Sequence, residues 1–150
     1  MNSHPRPRPG LFLLLGLLAV SGCSSFQREW KQAAAGPPAG LEGRWSGVWR
    51  SDANGHTGPL RCLVTRAEDG AYRARFHARY EKIFTFGYTV ALQVHQPGDH
   101  FQFTGDANLG WYAGGVYHYE GTASATNFLA TYRCPRDHGT FTLARPAPGE

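Results

Sequence analysis

YRARFHARY, residues 72–80, alternates apolar and charged side chains along its whole length. Successive side chains of a β-strand point to opposite faces, so this pattern predicts a strand with one buried face and one solvated face. The next run, residues 84–95, repeats the alternation; its apolar positions are Phe84, Phe86, Tyr88, Val90, Leu92 and Val94. Only residues 81–83 separate the two runs, which predicts an antiparallel hairpin.

The same alternation continues in both directions, between turn-forming sequences rich in Gly, Asn, Asp and Pro. We predict no amphipathic helix and eight strands, which lie at residues 41–51, 59–67, 71–80, 84–96, 100–107, 114–123, 127–134 and 139–145. Eight antiparallel strands joined by short turns are expected to close into an up-and-down barrel, because closure removes the unpaired edges that promote aggregation. A β-sandwich is the alternative all-β architecture.

Gly43-Arg44-Trp45 opens the first predicted strand, and Arg145 ends the last one. The first three residues resemble the G-x-W motif on the first strand of lipocalins and related calycin barrels. In that family the tryptophan closes one end of the barrel, and a basic residue from the last strand packs across it. The resemblance therefore implies a lipocalin-like barrel in which the Arg145 cation lies over the Trp45 ring.

The N-terminal residues form a second recognisable pattern. Two arginines precede the apolar run 11–20, which leads into VSGC at residues 20–23. This arrangement resembles the signal peptide of bacterial lipoproteins, which is cut before an invariant cysteine that then carries acyl chains such as palmitate. The resemblance implies lipidation of Cys23, and Ser24 then implies export to the outer membrane, facing the periplasm, if the cell is Gram-negative. The alternative is an ordinary secretory signal or a short anchor, although roughly 20 apolar residues are needed to span a bilayer.

These patterns divide the chain into a signal peptide at 1–22, a lipidated cysteine and flexible tether at 23–40, the barrel at 41–146 and a tail at 147–150. The tether is expected because residues 33–40 are all Ala, Gly or Pro, which bury too little surface to offset their ordering entropy. Without the signal peptide the chain keeps 13 basic and 11 acidic residues, a net charge of +2. So small a charge on an exported protein does not indicate nucleic-acid binding.

Alternate loops of an eight-stranded meander fall at the same end of the barrel. The first, third, fifth and seventh loops are the longer and chemically richer ones, so we expect them to form a mouth that faces away from the membrane. The candidate residues for contact with a ligand or partner at this mouth are His56, Lys82, Trp111, Tyr112, Arg136 and His138. The adjacent Trp111 and Tyr112 have three interpretations: they cap the barrel, line its mouth or contact a partner.

Cys62 and Cys134 both fall in the inward phase of their strands, and both are expected at the loop-rich end. An exported protein with two cysteines besides the lipidated one is a natural place for a disulfide. We therefore predict a disulfide between Cys62 and Cys134. Two separate core cysteines are the alternative, because the second and seventh strands are not neighbours in the meander.

Patterns that would indicate catalysis or metal binding are weak. His95, Asp99 and His100 flank one turn, but exposed histidines are commoner at a turn than a metal site. The pair Asp137-His138 has no serine or cysteine nucleophile with which to act. We therefore expect no enzymatic activity, no metal and no cofactor.

Two classes of function remain open. Thirteen aromatic residues, including Phe84 and Phe86, are expected to point into the barrel, which favours an interior filled by side chains. A filled barrel indicates a lipid-anchored, non-enzymatic interaction or structural module of the cell envelope. The alternative is a lipocalin-like carrier of a small apolar ligand such as a lipid or fatty acid. The sixth strand is ambiguous, since either Tyr117 and Tyr119 or His118 and Glu120 point inward.

Overall fold

The computed structural model describes residues 25–81 and 83–150. Eight antiparallel strands form one closed barrel in which each strand pairs with its neighbours in sequence and the last pairs with the first. The strands are β1 (Gly43–Ser51), β2 (Thr57–Arg66), β3 (Tyr72–Tyr80), β4 (Phe84–His95), β5 (Phe101–Asn108), β6 (Val116–Ala123), β7 (Asn127–Arg133) and β8 (His138–Ala144). The predicted eight-stranded up-and-down barrel is confirmed, and each strand begins and ends within two residues of its predicted position.

The end of the barrel at which β1 begins is closed by side chains. Trp45 is fully buried, and its ring lies 5.5 Å from that of Phe128, centroid to centroid. The Arg145 guanidinium carbon lies 3.6 Å from the Trp45 ring centroid, and the same group donates hydrogen bonds to the carbonyl oxygens of Gly40 and Glu42 at 2.6 and 2.9 Å. The structure therefore contains the aromatic and cationic pair that the lipocalin resemblance implied.

A short helix, α1, covers one outer wall of the barrel at residues 25–33. Phe26 and Trp30 are one helical turn apart on the same face, and both are buried together with Leu63 of β2. The Trp30 ring lies between two arginines, Arg44 and Arg61, whose guanidinium carbons are each 5.1 Å from its centroid. The helix crosses from β3, where Phe26 contacts the barrel, to β1 and β2.

This helix corrects two sequence-based expectations. Residues 25–33 are not part of a flexible tether, and the chain does contain an amphipathic helix. The physical reason is Leu63, which points outward from β2 and would expose an apolar side chain to water if the helix did not cover it. Cys23 and the predicted signal peptide lie outside the described residues. Among the residues that are described, no helix has the length and apolar character that crossing a membrane requires.

The ladder between β4 and β5 is short at the loop-rich end. β4 pairs with β3 from Phe84 to Leu92, whereas its ladder with β5 covers only residues 91–95. Residues 84–90 of β4 therefore extend beyond the ladder with β5, toward the mouth.

Candidate binding cavity at the mouth of the barrel

The loop-rich half of the barrel contains a cavity of about 620 Å³ that is open to solvent. Cavities of roughly 300–1,000 Å³ are typical of small-molecule sites. Half of the lining residues are aromatic, and these are Trp49, Tyr80, Phe86, Tyr88, Tyr112, Tyr117, Tyr119, Tyr132 and Phe141. The prediction of a filled interior is therefore wrong for this half of the barrel, although it is right for the half around Trp45.

Two local features leave this space open. The sequence pattern predicts that Phe84 and Phe86 fill the interior, but they are 62% and 48% exposed, and of the two only Phe86 lines the cavity. On β3 the inward position next to Phe86 is Ala78, which lines the cavity with a single methyl group. A small side chain on β3 and exposed side chains on β4 leave the volume that large inward aromatic groups would have occupied.

The Trp49 indole forms part of the cavity wall by lying across a glycine. Gly58 is its partner on β2, and a Cβ there would come within 2.8 Å of the indole nitrogen. The absence of a side chain lets the indole N–H reach over β2 and donate to the Arg79 carbonyl oxygen of β3 at 3.0 Å. This bond fixes the position of the indole ring in the cavity wall.

The structure resolves the ambiguity in the sixth strand. Tyr117 and Tyr119 point into the barrel and line the cavity, whereas His118 and Glu120 are exposed on the outer wall. His118 instead contacts Asp106 of β5, with 2.5 Å between its Nδ1 atom and a carboxylate oxygen.

The cavity carries several tyrosine hydroxyl groups in an apolar surrounding. Burial raises the pKa values of Tyr88, Tyr117, Tyr119 and Tyr132, so these phenols remain protonated and can donate hydrogen bonds at neutral pH. The hydroxyl of Tyr119 is buried, and the hydroxyl of Tyr88 is the polar group that interacts with it. These two neighbouring hydroxyls place polar groups in a wall that is otherwise largely apolar.

A second polar group lies where the cavity meets the loops. The Asp137 carboxylate accepts hydrogen bonds from the hydroxyls of Ser51 at 2.6 Å and Tyr132 at 3.2 Å. On the other side of the mouth, the Tyr80 hydroxyl and His56 Nδ1 are 2.9 Å apart. No arginine or lysine is among the described residues that line the cavity. The walls therefore offer neutral donors and one carboxylate, with no permanent cation to pair with an anion.

The predicted mouth residues separate into two groups. His56 and Tyr112 line the cavity. Trp111 is 83% exposed beside it, and Arg136 and His138 are exposed elsewhere on the rim. Of the three interpretations of the aromatic pair, capping is excluded for Trp111, and Tyr112 lines the mouth. Lys82 lies outside the described residues.

The predicted disulfide between Cys62 and Cys134 is not formed, and both cysteines are free. Cys62 pairs with Trp45 near the closed end, five residues from the start of β2, whereas Cys134 follows β7 at the mouth and packs against Gly114. Five strand residues span about 16 Å, far beyond the separation of about 7 Å that a disulfide tolerates between Cα atoms. Burial raises the pKa of the Cys62 thiol, which makes it an unreactive core residue.

The remaining polar candidates are not assembled into a site. His100 and Asp99 make a contact of 3.4 Å on an exposed turn at the closed end, and His95 is exposed nearby. Within the described residues, no three side chains of the kinds that bind metals are grouped closely enough to hold an ion. Asp137 is engaged by Ser51 and Tyr132, and the adjacent His138 is exposed on the outer wall.

Sequence reasoning missed most of the tyrosine lining. Tyr80, Tyr88 and Tyr132 were counted as core aromatics, and only their position in the loop-proximal halves of their strands distinguished them from the residues around Trp45. Comparisons with protein-family models, with curated proteins and with solved structures find no match to this chain.

Proposed function

We propose that this protein is a lipid-anchored, non-enzymatic binding protein of the bacterial cell envelope, and that its barrel holds one small neutral molecule in the mouth cavity. The observation that carries this proposal is the open aromatic cavity at the mouth, with the neighbouring Tyr88 and Tyr119 hydroxyls in its wall. Concave aromatic sites of this volume with a few polar groups are typical of small-molecule binding.

The lining favours a ligand with a flat or chain-like apolar body and at least one hydrogen-bond acceptor. The aromatic side chains provide apolar contact, and the tyrosine hydroxyls are protonated donors. A free fatty acid fits less well, because its carboxylate would find the Asp137 carboxylate and no permanent cation among the described lining residues. A neutral ester, amide, ketone or alcohol satisfies the same hydroxyls without burying a charge.

The cavity favours the carrier over the interaction module, the two classes of function that the sequence left open. An interaction module that binds no ligand would need no internal space, whereas a carrier requires it. The aromatic volume around Trp45 still fills the closed half, so the bound molecule occupies only the half next to the loops. This limits the ligand to a molecule much smaller than a phospholipid with two chains.

Membrane attachment through Cys23 is a separate part of the proposal, supported by the sequence pattern at residues 11–23. Lipidated cysteines with two or three acyl chains hold a protein essentially permanently at a membrane. Cys23→Ser should abolish the acyl mass on the N-terminal peptide. Unchanged membrane attachment, with no lipid adduct on the wild-type protein, would contradict this part.

Native mass spectrometry of the protein purified from its own membrane tests the ligand directly. We expect one small molecule per chain to be released as the complex is activated in the gas phase. The cavity-filling variant Ala78→Phe should lose it, and the outer-wall variant Ala91→Phe should keep it, since Ala91 is exposed on β4. Wild-type protein that carries only its acyl adduct would refute the carrier function.

A further inference from the structure

Five large apolar side chains are exposed together at the mouth. Ile83, Phe84 and Phe86, on the β3–β4 hairpin, are 79%, 62% and 48% exposed, and Trp111 and Tyr112, in the β5–β6 loop, are 83% and 76% exposed. We call this set the rim patch. Water-exposed aromatic groups of this size are costly, and contiguous patches of them usually mark an interaction surface.

The rim patch comes from two segments that border the same cavity. Phe86 lines the cavity from β4, and Tyr112 lines it from the β5–β6 loop. Trp111 and Tyr112 belong to a single 3₁₀ turn between Gly110 and Gly114, whose φ angles are 85° and 102°, and none of the residues in this turn is buried. The turn therefore keeps Trp111 largely in water and leaves Tyr112 exposed at the edge of the cavity.

We propose that the rim patch inserts into the surface of the lipid bilayer, so that the cavity opens directly onto the membrane and takes its ligand from it. Tryptophan and tyrosine are the residues that concentrate at membrane interfaces, where an apolar ring contacts lipid and its polar atom stays hydrated. Exposed Arg79, on the outer face of the same hairpin, lies where it can meet anionic headgroups. This inference rests on the lipid anchor of the proposed function.

The course of helix α1 supports this orientation. Phe26, near the start of the described helix, stacks on His77 of β3 at 4.8 Å between ring centroids. Cys23 precedes residue 25 by two positions, and two residues span at most about 7 Å. A lipid anchor on Cys23 would therefore tie the outer wall at β3, which continues into the β3–β4 hairpin, close to the membrane. The expectation that the mouth faces away from the membrane assumed a tether entering at the closed end, and α1 removes that assumption.

Tryptophan quenching in reconstituted vesicles tests the proposal with the lipidated protein. The other tryptophans, Trp30, Trp45 and Trp49, are buried, so the emission lost in Trp111→Phe reports Trp111. Vesicles of phosphatidylethanolamine and phosphatidylglycerol are made with plain or acyl-brominated phosphatidylglycerol. We expect the bromine to quench most of the Trp111 emission and aqueous iodide to leave it largely unchanged. The matched control is the double variant Trp111→Phe/Leu129→Trp, because Leu129 is exposed on β7, four strands from β3. The tryptophan at position 129 should be quenched by aqueous iodide and not by the brominated lipid.

Every other outcome overturns the proposal. Quenching of Trp111 by iodide and not by bromine would place the mouth in water. Protection of Trp111 from both quenchers would indicate a protein partner on the rim. Failure of the protein to sediment with the vesicles would reject both the anchor and the rim contact. Because none of these readouts measures the cavity, ligand binding in detergent can succeed or fail independently.

Discussion

Tyr119→Phe should destabilise the empty protein and weaken its binding of a ligand that carries an acceptor. The buried Tyr119 hydroxyl interacts with the Tyr88 hydroxyl, and its removal leaves that hydroxyl without its polar neighbour in a largely apolar wall. Loss of one such interaction should lower the free energy of unfolding by about 1 kcal/mol. Urea unfolding measures this change. A gain in stability would show that the two hydroxyls do not stabilise each other and would refute the pairing of Tyr88 with Tyr119.

The same variant should discriminate between two fluorescent probes. Prodan, a neutral naphthyl ketone, has a carbonyl that can accept from Tyr119, whereas phenylnaphthylamine has no such acceptor. Loss of one hydrogen bond of about 1 kcal/mol predicts a roughly fivefold weaker prodan affinity and an unchanged affinity for phenylnaphthylamine. Tyr132→Phe is the matched control, because its hydroxyl already donates to Asp137 and its removal should lower stability by about 1.5 kcal/mol. Equal effects on both probes would refute the assigned role of Tyr119.

Three further predictions concern the scaffold. Arg145→Ala should lower the free energy of unfolding by about 3 kcal/mol, because it removes the cation over the buried Trp45 ring and several hydrogen bonds to carbonyl oxygens. In the same urea titration, Arg73→Ala should change the free energy of unfolding by less than about 0.5 kcal/mol, because Arg73 is exposed. Leu63→Glu should release helix α1 and expose its basic residues to trypsin, while Val48→Glu, on an exposed outer position, should leave the digestion pattern unchanged. Burial under the helix, together with the neighbouring arginines of β2 and β3, lowers the pKa of His77, so the unfolded state binds the proton more readily. The urea midpoint should therefore fall as pH drops below about 6.5, and His77→Gln should flatten this dependence; a midpoint that rises on acidification would contradict it.

The barrel was predictable because its alternation is a local property of the sequence. Each strand has a period of two, and the turns between strands contain the residues that turns require, so the number and order of strands followed without any long-range information. The Trp45 and Arg145 pair was predictable only through the resemblance to lipocalins, since nothing in the spacing of the two residues brings them together.

The cavity was not predictable from the same pattern. Alternation identifies which side chains point inward but not how far each strand extends past its neighbour, and β4 extends past its ladder with β5 where Phe84 and Phe86 are exposed. The disulfide prediction was wrong for a related reason, because the inward phase of Cys62 does not fix its height in the barrel. Helix α1 did leave a trace in the sequence: Leu63 interrupts the alternation of β2 with an apolar outward residue, and Phe26 and Trp30 have helical spacing.

The most direct test of the central claim is a fluorescence titration of the lipidated protein in detergent with prodan, using wild type, Ala78→Phe and Ala91→Phe. We expect saturable binding of one prodan per chain, with emission shifted to the blue, in the wild type and in Ala91→Phe. The affinity for prodan should be at least tenfold weaker in Ala78→Phe, because the added ring occupies the cavity. Near-ultraviolet circular dichroism should show that this variant remains folded. Absence of saturable binding in the wild type, or equal affinity in folded Ala78→Phe, would contradict the claim that the mouth cavity is a binding site.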